Sequence, residues 1–172
     1  PNGKLSSTVV YKNDFKHGIA KFYYITGNLS KLANYNMNVP TGKWIWFSED
    51  GIIENELDNV SPNNFSENYS PAAYVGGQKK FKEYFKNANY SEQKGIKTKY
   101  DKAITTFQIN EEGNVTEVDI IVHGTKELDS AIIKHLYNMP KWRAEKKNGN
   151  YITSNFVLPI HFTNKGKYVL SD

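Results

Sequence analysis

Proton transfer, nucleophilic attack and metal ligation need particular residue types at workable spacings, and this chain offers few. The four histidines, His17, His123, His135 and His161, are scattered, and none has a second histidine or an acid at ligand spacing. Packed or surface imidazoles account for them better than a metal site does. There is no cysteine, which excludes a disulfide and a thiolate metal site. No G-x-S-x-G nucleophile motif occurs. Glu111-Glu112 sits beside a glycine in a turn-like stretch and reads as solvated. Gly76-Gly77 opens a helical pattern and could hold an anion there, although helix entry is the commoner use of such a pair. The sequence therefore predicts no catalytic residue, no metal, no cofactor and no enzymatic activity.

Two stretches carry binding chemistry instead. Trp44 and Trp46 flank one residue and so share a strand face, where they form either an exposed aromatic surface or the core of a hairpin stack. The apolar run from Tyr151 to Phe162 reads as a strand with Pro159 inside it. A proline has no N–H for a ladder, so such a strand belongs at a sheet edge, and an open edge can take another chain's strand. Pro159 directs its side of the backbone outward. Asn155, Val157 and His161 share that direction, and these four are the predicted peptide-binding positions.

The elements that must position them follow from composition and period. With 172 residues, 38% hydrophobic and 23% charged, the chain reads as folded, with room for one large or two small domains. Of its net charge of +4, the surplus lies in residues 77–172, which hold 16 Lys+Arg against 11 acids. Arginine, the usual base-edge reader, occurs once, at Arg143, so a solvated lysine surface is favoured over nucleic-acid binding. No run of about 18 apolar residues is present, so no membrane span is expected in this chain. It starts at Pro1 without a methionine, and an anchor or export signal is expected upstream.

Residues 1–56 repeat. Gly3, Gly27 and Gly51 are 24 residues apart, and Leu5, Leu29 and Ile53 keep the offset. Tyr11 and Tyr35, Gly18 and Gly42, Phe22 and Trp46, and Tyr23 and Phe47 follow it too. The unit is a strand, a turn, a strand and a glycine turn. Residues 57–75, polar and with two prolines, read as a linker and a domain boundary. A helix follows from Gly77, with Phe81, Tyr84, Phe85 and Ala88 as its stripe. A hairpin turns at Glu111–Asn114 and buries Ala103, Thr105, Phe107 and Ile109 against Val118, Ile120 and Val122. A second helix is capped by Thr125, carries Leu128, Ala131, Ile132, Leu136 and Met139 inward, and stops at Pro140. The strand at 151–162 closes the domain. Residues 164–172 read as a tail. The fold class is α+β: an all-β repeat array, then helix-strand-strand-helix-strand. The second part is expected to be a three-stranded antiparallel sheet in the order 2-1-3, with both helices on one face and the last strand at an edge.

The glycine-aromatic period over about residues 1–56 resembles MORN-like repeats. Gly76-Gly77, Tyr90, Phe107 with Gly113, and Leu128-Asp129-x-Ala131 resemble the TonB C-terminal domain family. So do Met139-Pro140-Lys-Trp142, Asn148-Gly149 and Leu158-Pro159-Ile160-x-Phe162, the match covering about residues 76–163. The resemblance implies a periplasmic protein-binding module of the cell envelope. Its partner would be an outer-membrane TonB-dependent transporter, whose extended TonB box adds as a strand during energy transduction for transport. The alternative is a non-transducing envelope scaffold or immunity-like protein, in which the repeats bind an envelope protein and the C-terminal part docks or forms a homodimer.

Overall fold

The computed structural model describes residues 3–59, 69–88, 102–162 and 168–169. Its chain divides into two compact units. Unit 1 holds residues 1–64 and takes in 155–157; unit 2 holds 65–154 and 158–172.

Unit 1 is antiparallel sheet. Its strands are β1 (Ser7–Thr8), β2 (Tyr11–Lys12), β3 (Phe15–Lys16), β4 (Gly18–Tyr23), β5 (Leu29–Asn36), β6 (Val39–Phe47) and β7 (Ile53–Asn59). Five of them form one sheet in the order β1-β4-β5-β6-β7, and β2 and β3 form a small hairpin. The 24-residue period is visible in the backbone. Asn13 and Asp14 have φ of 51° and 64°, and Met37 and Asn38 have 52° and 67° at the same offset. Two consecutive positive φ angles make the tight hairpin whose twist matches the strands it joins. The other turn repeats as well. Gly27 N–H donates to Tyr24 O and Gly51 N–H to Ser48 O, both at 2.9 Å. Tyr24 N–H donates to Asn28 O and Ser48 N–H to Ile52 O, both at 2.8 Å. One sheet face buries Leu32 and Ile45, which are cross-strand partners. On the other, Ala20 pairs with Ala33, both fully buried.

Unit 2 is built from β8 (Tyr69–Ser70), α1 (Gly77–Lys86), β9 (Lys102–Ile109), β10 (Val115–Val122), α2 (Lys126–Tyr137), β11 (Glu145–Lys147), β12 (Asn150–Ile152), β13 (Ser154–Phe162) and β14 (Tyr168–Val169). The main sheet runs β10-β9-β13-β14, and a second sheet runs β12-β11-β8. Thr125 Oγ1 accepts from Leu128 N–H at 3.2 Å and caps α2, which buries Leu128, Ile132 and Leu136. No helix among the described residues is long and apolar enough to cross a membrane.

Several expectations change. The main sheet has four strands, not three, because β14 pairs antiparallel with the end of β13, His161 opposite Val169. The strand placed at the edge is therefore covered at that end, by residues read as tail. The run from Tyr151 is two strands. Asn148 and Gly149, with φ of 50° and 84°, fold β12 back on β11, and the ladder restarts at Ser154. The strand β9 was expected to bury one face, but Ile104 and Thr106 are buried as well as Ala103, Thr105 and Phe107. It lies between β10 and β13, and side chains on both of its faces are covered. Glu117, at φ 49°, makes a bulge that sets two residues of β10 against one of β9. The linker shrinks at both ends. Residues 57–59 belong to β7. Beyond it, Ala73 and Arg143 exchange backbone hydrogen bonds of 2.9 Å, and Tyr74 is buried. Residues 60–68, and Tyr90 from the family pattern, lie outside the described residues.

Candidate protein-interaction surfaces

β13 takes its position from β9, its neighbour on one side. Thr105 Oγ1 donates to Leu158 O at 3.2 Å, so the Leu158 carbonyl faces that strand. Backbone groups alternate sides along a strand, and the Asn155 carbonyl is used elsewhere: within unit 1 it accepts from Asn34 Nδ2 at 2.7 Å. His161 lies opposite Val169 of β14. Of the four predicted peptide-binding residues, Val157 and Pro159 are buried, while Asn155 and His161 are half-buried. They share one strand but do not form an open surface.

Trp44 and Trp46 stand on one face of β6, both half-buried, with ring centroids 5.9 Å apart and planes tilted by 52°. Between and beyond them Ile45 and Phe47 point the other way and are fully buried. Trp44 also meets Tyr35 at 5.4 Å, and its Nε1 donates to Asn34 O at 3.1 Å. Lysines lie on this surface. Lys31 Nζ sits 4.2 Å from the Phe22 ring centre and 5.1 Å from that of Trp44, and Lys16 Nζ 5.3 Å from that of Tyr35. An ammonium over an aromatic face is held by the ring quadrupole. This arrangement depends on cross-strand register, with Lys31 opposite Phe22 and Trp46, and reading the two tryptophans alone missed it.

The interior of unit 2 is a chain of rings. Trp142 is 8% exposed and meets Tyr74, Phe81 and Phe107 at 5.5, 5.4 and 6.0 Å. His135 stacks on Tyr84 at 4.2 Å, and burial lowers its pKa against a raising contribution from Tyr84. Two further partnerships escaped the sequence reading: Tyr69 with Glu145, distant in the chain, and His123 with Asp129, six residues apart. Burial, then the charge and hydrogen bond of Glu145, push Tyr69 up to about 12. Burial raises Glu145 in turn, against the pull of Tyr69 and Lys147. His123 Nδ1 lies 2.8 Å from Asp129 Oδ2, whose other oxygen accepts from Gly124 N–H at 2.9 Å. Among the described residues no group of three or more His, Cys, Asp or Glu could hold a metal ion.

Comparison with known proteins places two segments. Residues 86–163 match the family model of the Gram-negative bacterial TonB protein C-terminal, and residues 16–37 match that of the MORN repeat variant. The MORN segment precedes the TonB segment, and both lie within the stretches whose residues carry the resemblance. Searches of curated proteins and of solved structures returned no match.

Proposed function

We propose that this chain is a protein-binding module of the Gram-negative envelope, acting in the periplasm as a binding protein and not as an enzyme. Its C-terminal unit takes an extended TonB-box-like segment of an outer-membrane transporter by strand addition along β13. The match over residues 86–163 supports the class of protein. The observation that carries the mode of binding is β14: the outer side of β13 already accepts an antiparallel strand, supplied by the chain's own residues 168–169. A two-residue strand holds few ladder bonds and can be displaced. A five-residue peptide gains about five hydrogen bonds at about 1 kcal/mol each, against an ordering cost of about 2–5 kcal/mol. Affinity is then micromolar or weaker, which suits a contact that must release.

The test is an isotope-edited NMR titration with a transporter box peptide. The amides of 155–158, 160, 161 and 168–169 should shift together, and deleting residues 164–172 should tighten binding. A specific observation favours the scaffold as second reading: Val157 and Pro159 are buried and the Asn155 carbonyl is engaged. Shifts confined to Trp44, Trp46 and the N-terminal hairpins would select that reading, with an envelope protein held by the repeats.

A further inference from the structure

We propose that the groove between Phe22 and Trp46 on the repeat sheet is a binding site for a pyranose glycan. Phe22 on β4, Lys31 on β5 and Trp46 on β6 are cross-strand partners and form one row across the sheet. The open groove along this row has a volume of about 410 Å³ and is also lined by Ser6, Ser30 and Glu54. That volume lies within the range of small-ligand sites, about 300–1,000 Å³.

Trp46, half-buried, lines the groove beside the Phe22 ring, over which Lys31 Nζ sits. The position of Lys31 Nζ, 4.2 Å from the Phe22 ring centre, shows the electron-rich face of that ring attracting positive charge. The C–H face of a pyranose is polarised in the same sense and is flat enough to lie on an indole. Ser6, Ser30, Lys31 and Glu54, residues with hydroxyl, ammonium and carboxylate groups, line the same groove. None of these side chains has a hydrogen bond or ion pair within the described residues. They supply donors and acceptors together, as a ring of hydroxyls requires. One charge of each sign leaves the groove neutral: Glu54 opposes a phosphate and Lys31 opposes a cation. An uncharged, hydroxyl-rich ligand with an apolar face satisfies the whole set.

The test uses the intact chain and two probes, the tetramer of N-acetylglucosamine and a β-linked glucose hexamer, followed by the three tryptophan indole N–H signals. A saturable shift at Trp46, with Trp142 unmoved, is expected for at least one probe, and the difference between the probes tells whether acetamido groups are read. Trp46→Ala should weaken binding at least about tenfold, the loss expected for a ring that carries roughly 1.4 kcal/mol. Glu54→Gln and Ser30→Ala should each weaken it severalfold, and they carry the test if Trp46→Ala disturbs the sheet. Three results overturn the proposal: no Trp46 response to either sugar at millimolar concentration, binding undiminished in Glu54→Gln and Ser30→Ala, or a Trp46 response to an acidic peptide alone.

Discussion

The two units fold by different means. Unit 1 is a ladder of hairpins in which each strand leans on the next, and among its described residues the fully buried apolar side chains are few: Ala20, Leu32, Ala33, Ile45 and Phe47. Its order comes from repeated backbone turns, with the hydrogen bonds of Tyr24–Asn28 reproduced at Ser48–Ile52. Unit 2 gathers distant segments around Phe85, Phe107, Leu128, Ile132, Leu136 and Ile160, and its rings touch across helix, loop and sheet. Stability in the first is local and distributed; in the second it is long-range and concentrated.

The sharpest way to break this contrast is Trp142→Ala. Removing a buried aromatic held by three other rings should cost about 3–5 kcal/mol of unit 2 stability in a urea titration. The Trp44 and Trp46 indole signals should stay native through that transition; their collapse in step with unit 2 would erase the distinction. Gly113→Ala should come next. Gly113 has φ 84°, and an added Cβ would lie on the Trp142 carbonyl oxygen, while Trp142 N–H donates to Gly113 O at 2.8 Å. Left-handed strain alone is worth about 1–3 kcal/mol, and the loss should appear as a lowered unfolding midpoint with an unchanged slope. In unit 1 a single contact should matter less. Tyr24 Oη donates to Phe47 O at 2.6 Å, and Tyr24→Phe should cost about 1 kcal/mol, measured by hydrogen exchange in the β4–β6 amides.

The smallest effect is a pH dependence. Burial lowers the pKa of His135 below its ordinary 6.5. The unfolded chain then takes up the proton first, so stability is complete above pH 6.5 and falls as pH drops toward the folded pKa. Glu145 runs the other way: its raised pKa contributes stability at low pH that is lost on ascending through the folded value. The difference between the wild type and His135→Phe isolates the histidine, and a flatter profile below pH 6.5 is expected in the variant.

The repeat, both helices, the Thr125 cap and the turns at Gly113 and Asn148-Gly149 were legible in the sequence because each depends on neighbours within a few residues. What escaped depends on distant partners. The two residues of β14 carry no period of their own, and only the β13 ladder makes them a strand. The burial of Ile104 and Thr106 reflects neighbours that β9 acquires on folding. The positive φ of Glu117 relieves a register mismatch that no local rule announces. For the candidate sites, alternation correctly placed Trp44 and Trp46 on one face. The Asn155 carbonyl is taken by Asn34, 121 positions earlier, and His161 lies opposite Val169 in a strand that carries no signal of its own.

The 24-residue period of unit 1 also makes it a measuring device. One period contributes two strands, and neighbouring strands lie about 4.8 Å apart, so each whole period advances the array by about 10 Å. Evolution or engineering can alter its reach only in such steps, because removing half a period would exchange the strand directions of everything beyond the cut. Length in this part of the molecule is thus counted in whole repeats, and the spacing between whatever its two ends hold is digital.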